Sequence, residues 1–423
     1  MKREETLPEG WEIRTFEDLF DIQIGGTPKR SVDEYWDKER TTRNLWVSIS
    51  DMSGLENKYL CDTKEYISDL GVRKSNVKPV PEGTILVSFK LTLGRLVIAG
   101  KPLFTNEAIA ALHPKTDELS RDFLFYALQK TDYYEEVDRA VKGATLNKEK
   151  LKRLKVSVPH SLEQQQKIAA ILSSLDDAIE KTGAVIHQLE VVKRGLMQEL
   201  FTRGVPGWHE KFVEIKRLGQ VPESWSVYTL GDFAVSRQGY TFKPKYQGQK
   251  QGKWMYSKVS DMEKAGNELY ILRTANYIDD DVLEEIKAKP FEAETTIFPR
   301  VGAALRTNKK RLLKVPSLVD DNIMTLVVID KEKCLPKYLY RWMESINLEM
   351  FCNDGPLPSI NSKNLLRTQI ALPSLEEQKQ IVHTFYVIDE RIKAEQTKKG
   401  QLETIKKGLM QGLLSGRMGV KGG

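Results

Sequence analysis

At 423 residues, with 40% hydrophobic and 29% charged side chains, the chain is too long for one ordinary core and suits two globular domains. It contains no apolar run of the roughly 18 residues a membrane span needs, and the polar start MKREETLPEGW does not resemble a secretory signal. Three scattered cysteines and five scattered histidines offer neither a disulfide framework nor metal-ligand spacing, which fits a reducing cytoplasm, and the net charge of +6 matters only if the cations gather on one face.

Residues 8–25 read PEGWEIRTFEDLFDIQIG, and residues 222–239 read PESWSVYTLGDFAVSRQG, so Trp11 answers Trp225 and Gly25 answers Gly239 at an offset of 214. Ser50-Asp51-Met52 returns as Ser260-Asp261-Met262, and Asn147, Leu151 and Pro159 return as Asn361, Leu365 and Pro373. Past one extra residue, His160, Leu162-Glu163-Gln164-Gln165 pairs with Leu375-Glu376-Glu377-Gln378 at an offset of 213. The extra residue puts strict equivalence of the two helix entries in question. Matches in constant order at nearly constant offset are a tandem duplication of one unit of about 210 residues. Between the anchors, residues 53–145 and 263–357 diverge. A frame that persists while its insert drifts suits two modules that read two different things.

The first module, residues 1–158, reads as mixed α/β, with strands around Ile85–Phe89 and Leu96–Ile98 and a helix around Arg121–Gln129. Its loops carry Lys29, Arg30, Lys90 and Arg95. Residues 159–204 follow as a long helix. Steps of four and three from Ile168 pass Leu172, Leu175, Ile179, Thr182, Ile186, Leu189, Lys193, Leu196 and Leu200, a coiled-coil seam. Ser161 is its expected N-cap, Glu163 lies in its first turn and Gly204 is its stop. About 39 residues at about 1.5 Å each give about 58 Å, longer than a small domain is wide.

Residues 205–221 form a linker to the second module, 222–372, with a strand in Thr325–Ile329 and a helix in Pro336–Ser345. Its loops gather Lys243, Lys245, Lys253, Arg300, Arg306, Lys309, Lys310 and Arg311. Lys and Arg suit phosphates, and Arg can also pair with base edges. The second long helix, 373–416, repeats the seam from Ile381 through Phe385, Ile388, Ile392, Glu395, Lys399, Leu402, Lys406 and Leu409 to Leu413, with Ser374 as cap, Gly416 as stop and 417–423 as tail. Matching seams predict that the two helices pack on each other antiparallel. Gly195 and Gly408 inside these helices cost about 1 kcal/mol each relative to Ala. Close helix approach, a docking site or fraying of the last turns would each account for them. Gly195-Leu196-Met197 and Gly408-Leu409-Met410 are the candidate partner-docking positions.

No Asn/Asp-Pro-Pro-aromatic motif, phosphate loop or HExxH is present, and Asp279-Asp280-Asp281 before Glu285-Ile286-Lys287 matches a nuclease pattern no better than chance allows. The two PE(G/S)W starts, the LPSLEEQ-like helix entries and the endings KRGLMQELFTRG and KKGLMQGLLSGR resemble the specificity subunit of Type I restriction–modification systems over essentially the whole chain. The resemblance implies two α/β target-recognition domains held by two long antiparallel helices in a pseudo-two-fold repeat. It implies a non-catalytic, cytoplasmic subunit that binds double-stranded DNA at a bipartite asymmetric site. Partners would be two methyltransferase subunits and motor-driven restriction subunits, with S-adenosylmethionine, Mg2+ and ATP used only by those partners and no membrane involved. Two alternatives stand beside it: a specificity chain that methylates or cleaves by itself, and a coiled-coil scaffold with two protein-binding modules. Under the first reading the tail after Gly416 should come near residues 1–7, in imitation of the linker.

Overall fold

The computed structural model describes residues 7–53, 55, 57–137, 146–353 and 358–419. It divides into two units, Met1–Val185 with Glu395–Gly423 and Ile186–Ala394. Each unit therefore holds one module, the first half of the helix that follows it and the last half of the other long helix.

The two modules share one topology. In the first, a five-stranded sheet runs in the order Phe20–Ile24, Ile109–Pro114, Ile85–Ser88, Leu96–Ala99, Tyr59–Leu60. In the second the order is Ala234–Gln238, Ile323–Val328, Thr296–Pro299, Arg311–Leu313, Tyr270–Ile271. A three-stranded sheet accompanies each, centred on Leu45–Val47 and on Trp254–Ser257. The central strands are apolar throughout because both faces are covered. Ile85 and Val87 enter the core built on Phe123 and Leu124, while Leu86 points to the core of Leu45, Val47 and Val97. In the second module Phe298 and Ile297 divide in the same way between two cores.

The duplicated anchors have local physical reasons. Asn147 and Asn361 cap short helices, accepting from Lys150 N at 2.8 Å and Lys363 N at 2.9 Å. Asp51 and Asp261 close turns by accepting Ser48 N and Lys258 N, each at 2.8 Å. A side chain on Gly25 would strike the carbonyls of Thr105 and Asn106, and one on Gly239 those of Val319 and Asp320. Strands Trp11–Thr15 and Lys155–Pro159 pair antiparallel, as do Ser226–Thr229 and Gln369–Leu372, so each module closes at the root of its long helix.

Those helices are Leu162–Leu200 and Leu375–Leu413, 39 residues each. Ser161 and Ser374 cap them, accepting Gln164 N and Glu377 N at 3.3 Å. Gln165 and Gln378 then play one role twice. Gln165 accepts from Ser120 N at 2.8 Å and donates to Pro159 O at 3.0 Å; Gln378 accepts from Leu335 N at 2.8 Å and donates to Pro373 O at 3.0 Å. The extra His160 is absorbed in the loop before the cap, where its N–H donates to Gly10 O at 2.9 Å, so the two helix entries are equivalent after all.

Every seam position in both helices is buried or half-buried. In the first unit Lys406 bonds Asp176 at 2.5 Å, and Gly183 lies opposite Lys399: seven residues forward on one helix is seven back on the other. In the second unit Lys193 bonds Asp389 at 2.7 Å, and Phe201 stacks on Phe385 with centroids 5.8 Å apart. The helix halves are antiparallel in each unit, as the matching seams predict.

The same aspartate also grips the module. In the first unit Tyr126, from the helix Arg121–Leu128, donates to Asp176 at 2.6 Å and shares a 3.1 Å hydrogen bond with Ser173, which accepts from Lys58 at 3.0 Å. In the second unit the equivalent helix Pro336–Ser345 supplies Arg341, which bonds both Asp389 and Glu344. An Asp–Lys pair joins the two long helices, and a third side chain ties the module to it.

The docking expectation needs correction. Leu196 and Met197 pack half-buried on the second module's core, and Leu409 and Met410 on the first module's core. The seam that joins the helices also completes the cores, which is why these four side chains are half-buried rather than exposed. A side chain on Gly195 or Gly408 would meet nothing within 4 Å, and both lie inside continuous helix, so neither close helix approach nor fraying explains them. They lie on open surface. Gly416, at φ 69°, packs against Pro8 and Trp11, which brings the tail to the first residues described.

Candidate nucleic-acid interface

The twelve basic residues expected to meet a polyanion separate into three groups once their partners are known. Lys310, only 4% exposed, is one correction: its ammonium donates to Asn308 Oδ1 at 2.7 Å and Ile346 O at 2.6 Å, and burial pushes its pKa down to about 8. The TNKKR turn looks exposed in sequence, but this lysine faces inward to satisfy two carbonyl oxygens. Arg311 donates to Lys310 O at 2.7 Å and Met262 O at 2.8 Å, and Arg300 donates to Asp321 O at 3.0 Å. These three hold backbone.

A second group is paired. Lys245 meets Glu285, Lys253 meets Asp280 and Lys309 meets Glu263, each at 2.6 Å, while the exposed Arg306 lies 3.9 Å from Glu349. Arg30 bonds Glu65, and its guanidinium lies 3.9 Å from the ring centre of Trp36 and 4.8 Å from that of Trp46. It rivets its loop to two rings. Exposed pairs of this kind are worth only about 0–1 kcal/mol, so a phosphate can compete for the Lys245, Lys253 and Lys309 heads. Arg30 is held by far more.

The third group is Lys29, Lys90, Arg95 and Lys243, which form no ion pair among the described residues. Lys90 lies 5.5 Å over the Phe89 ring, and Arg95 lines a cleft with Lys58, Gln129 and Asp176. Within each module, loops far apart in sequence meet. Glu107 is held below the usual carboxylate range by the Thr27 hydroxyl first and by Lys90 and Arg30 as well. Glu285 is held down by Lys245 and Tyr246, with Lys243 nearby.

Between Lys90 and Arg95 lies a residue that sequence reasoning missed. Leu91 is 81% exposed, the most of any large hydrophobic among the described residues, and sits at φ 65°, in the left-handed region. That conformation costs a non-glycine residue roughly 1–2 kcal/mol. Nothing in a leucine code letter announces either property.

The nuclease-like pattern does not assemble. Asp280 bonds Lys253 and Trp254, Asp279 accepts Lys253 N, and Glu285 bonds Lys245, so the carboxylates serve surface cations. Among the described residues, no group of three His, Cys, Asp or Glu side chains could hold a metal, and no helix is long and apolar enough to cross a membrane.

The family model for the Type I restriction modification DNA specificity domain matches the chain twice, at residues 8–191 and 222–404. A putative Type I restriction enzyme specificity subunit of Methanocaldococcus jannaschii, MjaX, is 28% identical, with 98% of this chain and 95% of that protein covered. The MjaIX specificity subunit of the same organism is 26% identical over 71% of this chain and 68% of its own length. The crystal structure of a Type I restriction–modification S subunit from M. genitalium superposes with a TM-score of 0.57 at 16% identity, with 98% of each chain covered.

Proposed function

The chain belongs to the family of Type I restriction–modification DNA specificity proteins, and on that premise we propose that its two modules each read one half of a bipartite, asymmetric DNA target. As a specificity subunit it is a DNA target-recognition protein and not an enzyme. Residues 1–158 and 222–372 are the readers, residues 159–204 and 373–416 are the spacer helices, 205–221 is the connector and 417–423 the tail. Two methyltransferase subunits, and restriction subunits with a motor, supply catalysis, together with the S-adenosylmethionine, Mg2+ and ATP those reactions consume.

One observation carries this reading: a single topology presents two unlike surfaces. Equivalent strands are joined by Lys90–Arg95 in the first module and by Arg300–Lys310 in the second. The first connection offers two unpaired cations and a bare leucine; the second turns Lys310 inward, sets Arg300 on a backbone carbonyl and pairs Arg306 and Lys309 with carboxylates. Identical frames with different contacts suit unlike half-sites, because frame sets placement while side chains set sequence.

The test exchanges residues 1–155 for the matching segment of a related subunit and maps methylated adenines genome-wide. One half-site should change and the other persist. Both changing together, or a palindromic target, would refute the two-reader arrangement. Methylation by the purified chain alone with S-adenosylmethionine would refute the non-catalytic role.

A further inference from the structure

The loop between strands Ile85–Ser88 and Leu96–Ala99 is rigid where a surface turn has no internal need to be. Ser88, fully buried, donates its hydroxyl to Thr92 O and accepts Arg95 N at 3.1 Å. Ser88 N donates to Arg95 O at 3.0 Å and Gly94 N to Ser88 O at 2.9 Å. Phe89 and Leu93 are buried on either side of the tip, and Gly94, at φ 74°, lies against the Tyr133 ring where a side chain would collide. These anchors leave Lys90-Leu91-Thr92 projecting from a fixed base.

Leucine is poorly suited to this apex on internal grounds. Its backbone is left-handed and its side chain touches solvent. The matching connection in the second module places Asn308 at φ 53°, a residue type that tolerates that region far better. Leu91 centres a tight turn closed by Thr92 N donating to Lys90 O at 2.8 Å, and Gly at position 91 would relieve both defects without disturbing any packed neighbour. The defects therefore point outward. The loop's two cations, Lys90 and Arg95, are free of ion pairs and indicate a polyanion as what covers the apex.

We propose that Leu91 is an apolar specificity contact of the first module, buried on binding against a thymine methyl group in the major groove while Lys90 and Arg95 hold the flanking phosphates. The thymine C5-methyl is the apolar feature that groove displays, and side chains without hydrogen-bonding groups read it by contact. This rests on residues 1–158 being one of the two DNA readers.

The experiment uses the full chain with its methyltransferase partner and duplexes carrying the target found by methylation mapping. Leu91→Gly should melt no lower than the parent, because it relieves strain. Its affinity for the intact target should fall roughly tenfold, the scale of one lost base contact, with binding to random duplex and the salt slope unchanged. Uracil in place of thymine in the first half-site should weaken the parent several-fold and leave Leu91→Gly unaffected; in the second half-site it should affect both alike. Unchanged target affinity in the variant overturns the proposal, as does an equal loss on random duplex or a loss uncoupled from uracil. A parent complex that fails to distinguish intact from scrambled first half-sites overturns the two-reader premise itself, a result separable from the others.

Discussion

A lysine's chemistry depends on what surrounds it, and Lys310 is the clearest case. Its ammonium is buried among Asn308, Ile346 and, at longer range, Glu344, and desolvation lowers its pKa to about 8. A neutral amine still has two N–H bonds for its two acceptors, so losing the proton costs no hydrogen bond. Below pH 8 folded and unfolded chains both carry the charge. Between pH 8 and the usual lysine value the unfolded chain holds a proton that the folded chain has released, so stability rises with pH across that window. The stability difference between parent and Lys310→Met, measured by urea unfolding, should grow in the parent's favour from pH 8 to 10 by up to roughly 3 kcal/mol. A flat difference would show that the ammonium is solvated. Lys310→Ala, by contrast, should disturb the turn's fold rather than the salt dependence of DNA binding.

At the scale of elements, the Asp–Lys pairs decide how each module is fixed to its helices. Asp389 neutralises Lys193 and Arg341, while Asp176 neutralises Lys406 and accepts from the uncharged Tyr126. Arg341 is 4% exposed and Lys193 stands at 20%, so removing Asp389 strands charge with little water to compensate. Asp389→Ala should cost about 3 kcal/mol and Asp176→Ala less, by thermal or urea unfolding. Reversal sharpens the contrast. Asp176→Lys with Lys406→Asp should recover part of the loss, because a tyrosine hydroxyl can accept as readily as donate, although Lys58, 3.5 Å from that hydroxyl, would then stand near a lysine. Asp389→Lys with Lys193→Asp should not, because Arg341 would then face a lysine. Equal rescue in the two units would argue that Arg341 is satisfied by Glu344 alone.

For the whole molecule, the order module, helix, module, helix has a cyclic character. Gly416 packs on Pro8 and Trp11, much as Gly204 packs on His209 and Glu377, which accepts Val205 N at 2.9 Å and Trp225 Nε1 at 3.1 Å. A permutant that joins the chain ends and opens new ones at Gly207, where an added side chain would touch nothing within 4 Å, should keep both readers and methylate the same sequence. A permutant that folds but changes its target would show that the connector carries specificity.

The sequence by itself determined the duplication, the helix caps and the seam, because these rest on local spacing. An Asn two or three residues before the amides it caps, or apolar residues every 3.5 positions, need no distant partner to be legible. Even the Asp176–Lys406 and Asp389–Lys193 pairs left a trace, since each residue recurs at the repeat's own offset of 213. Of the candidate site, the residue types and their clustering on loops could be read, but not their availability. Lys309 finds Glu263 and Lys245 finds Glu285 about forty residues away, Lys310 turns inward, and Met197, which lies off the seam in a helical count, packs half-buried on a core. Only the tertiary structure decided which cations are free and that Leu91 stands bare. Charge pairing and exposure are set by which distant atoms fold alongside, and no periodicity in the chain encodes that.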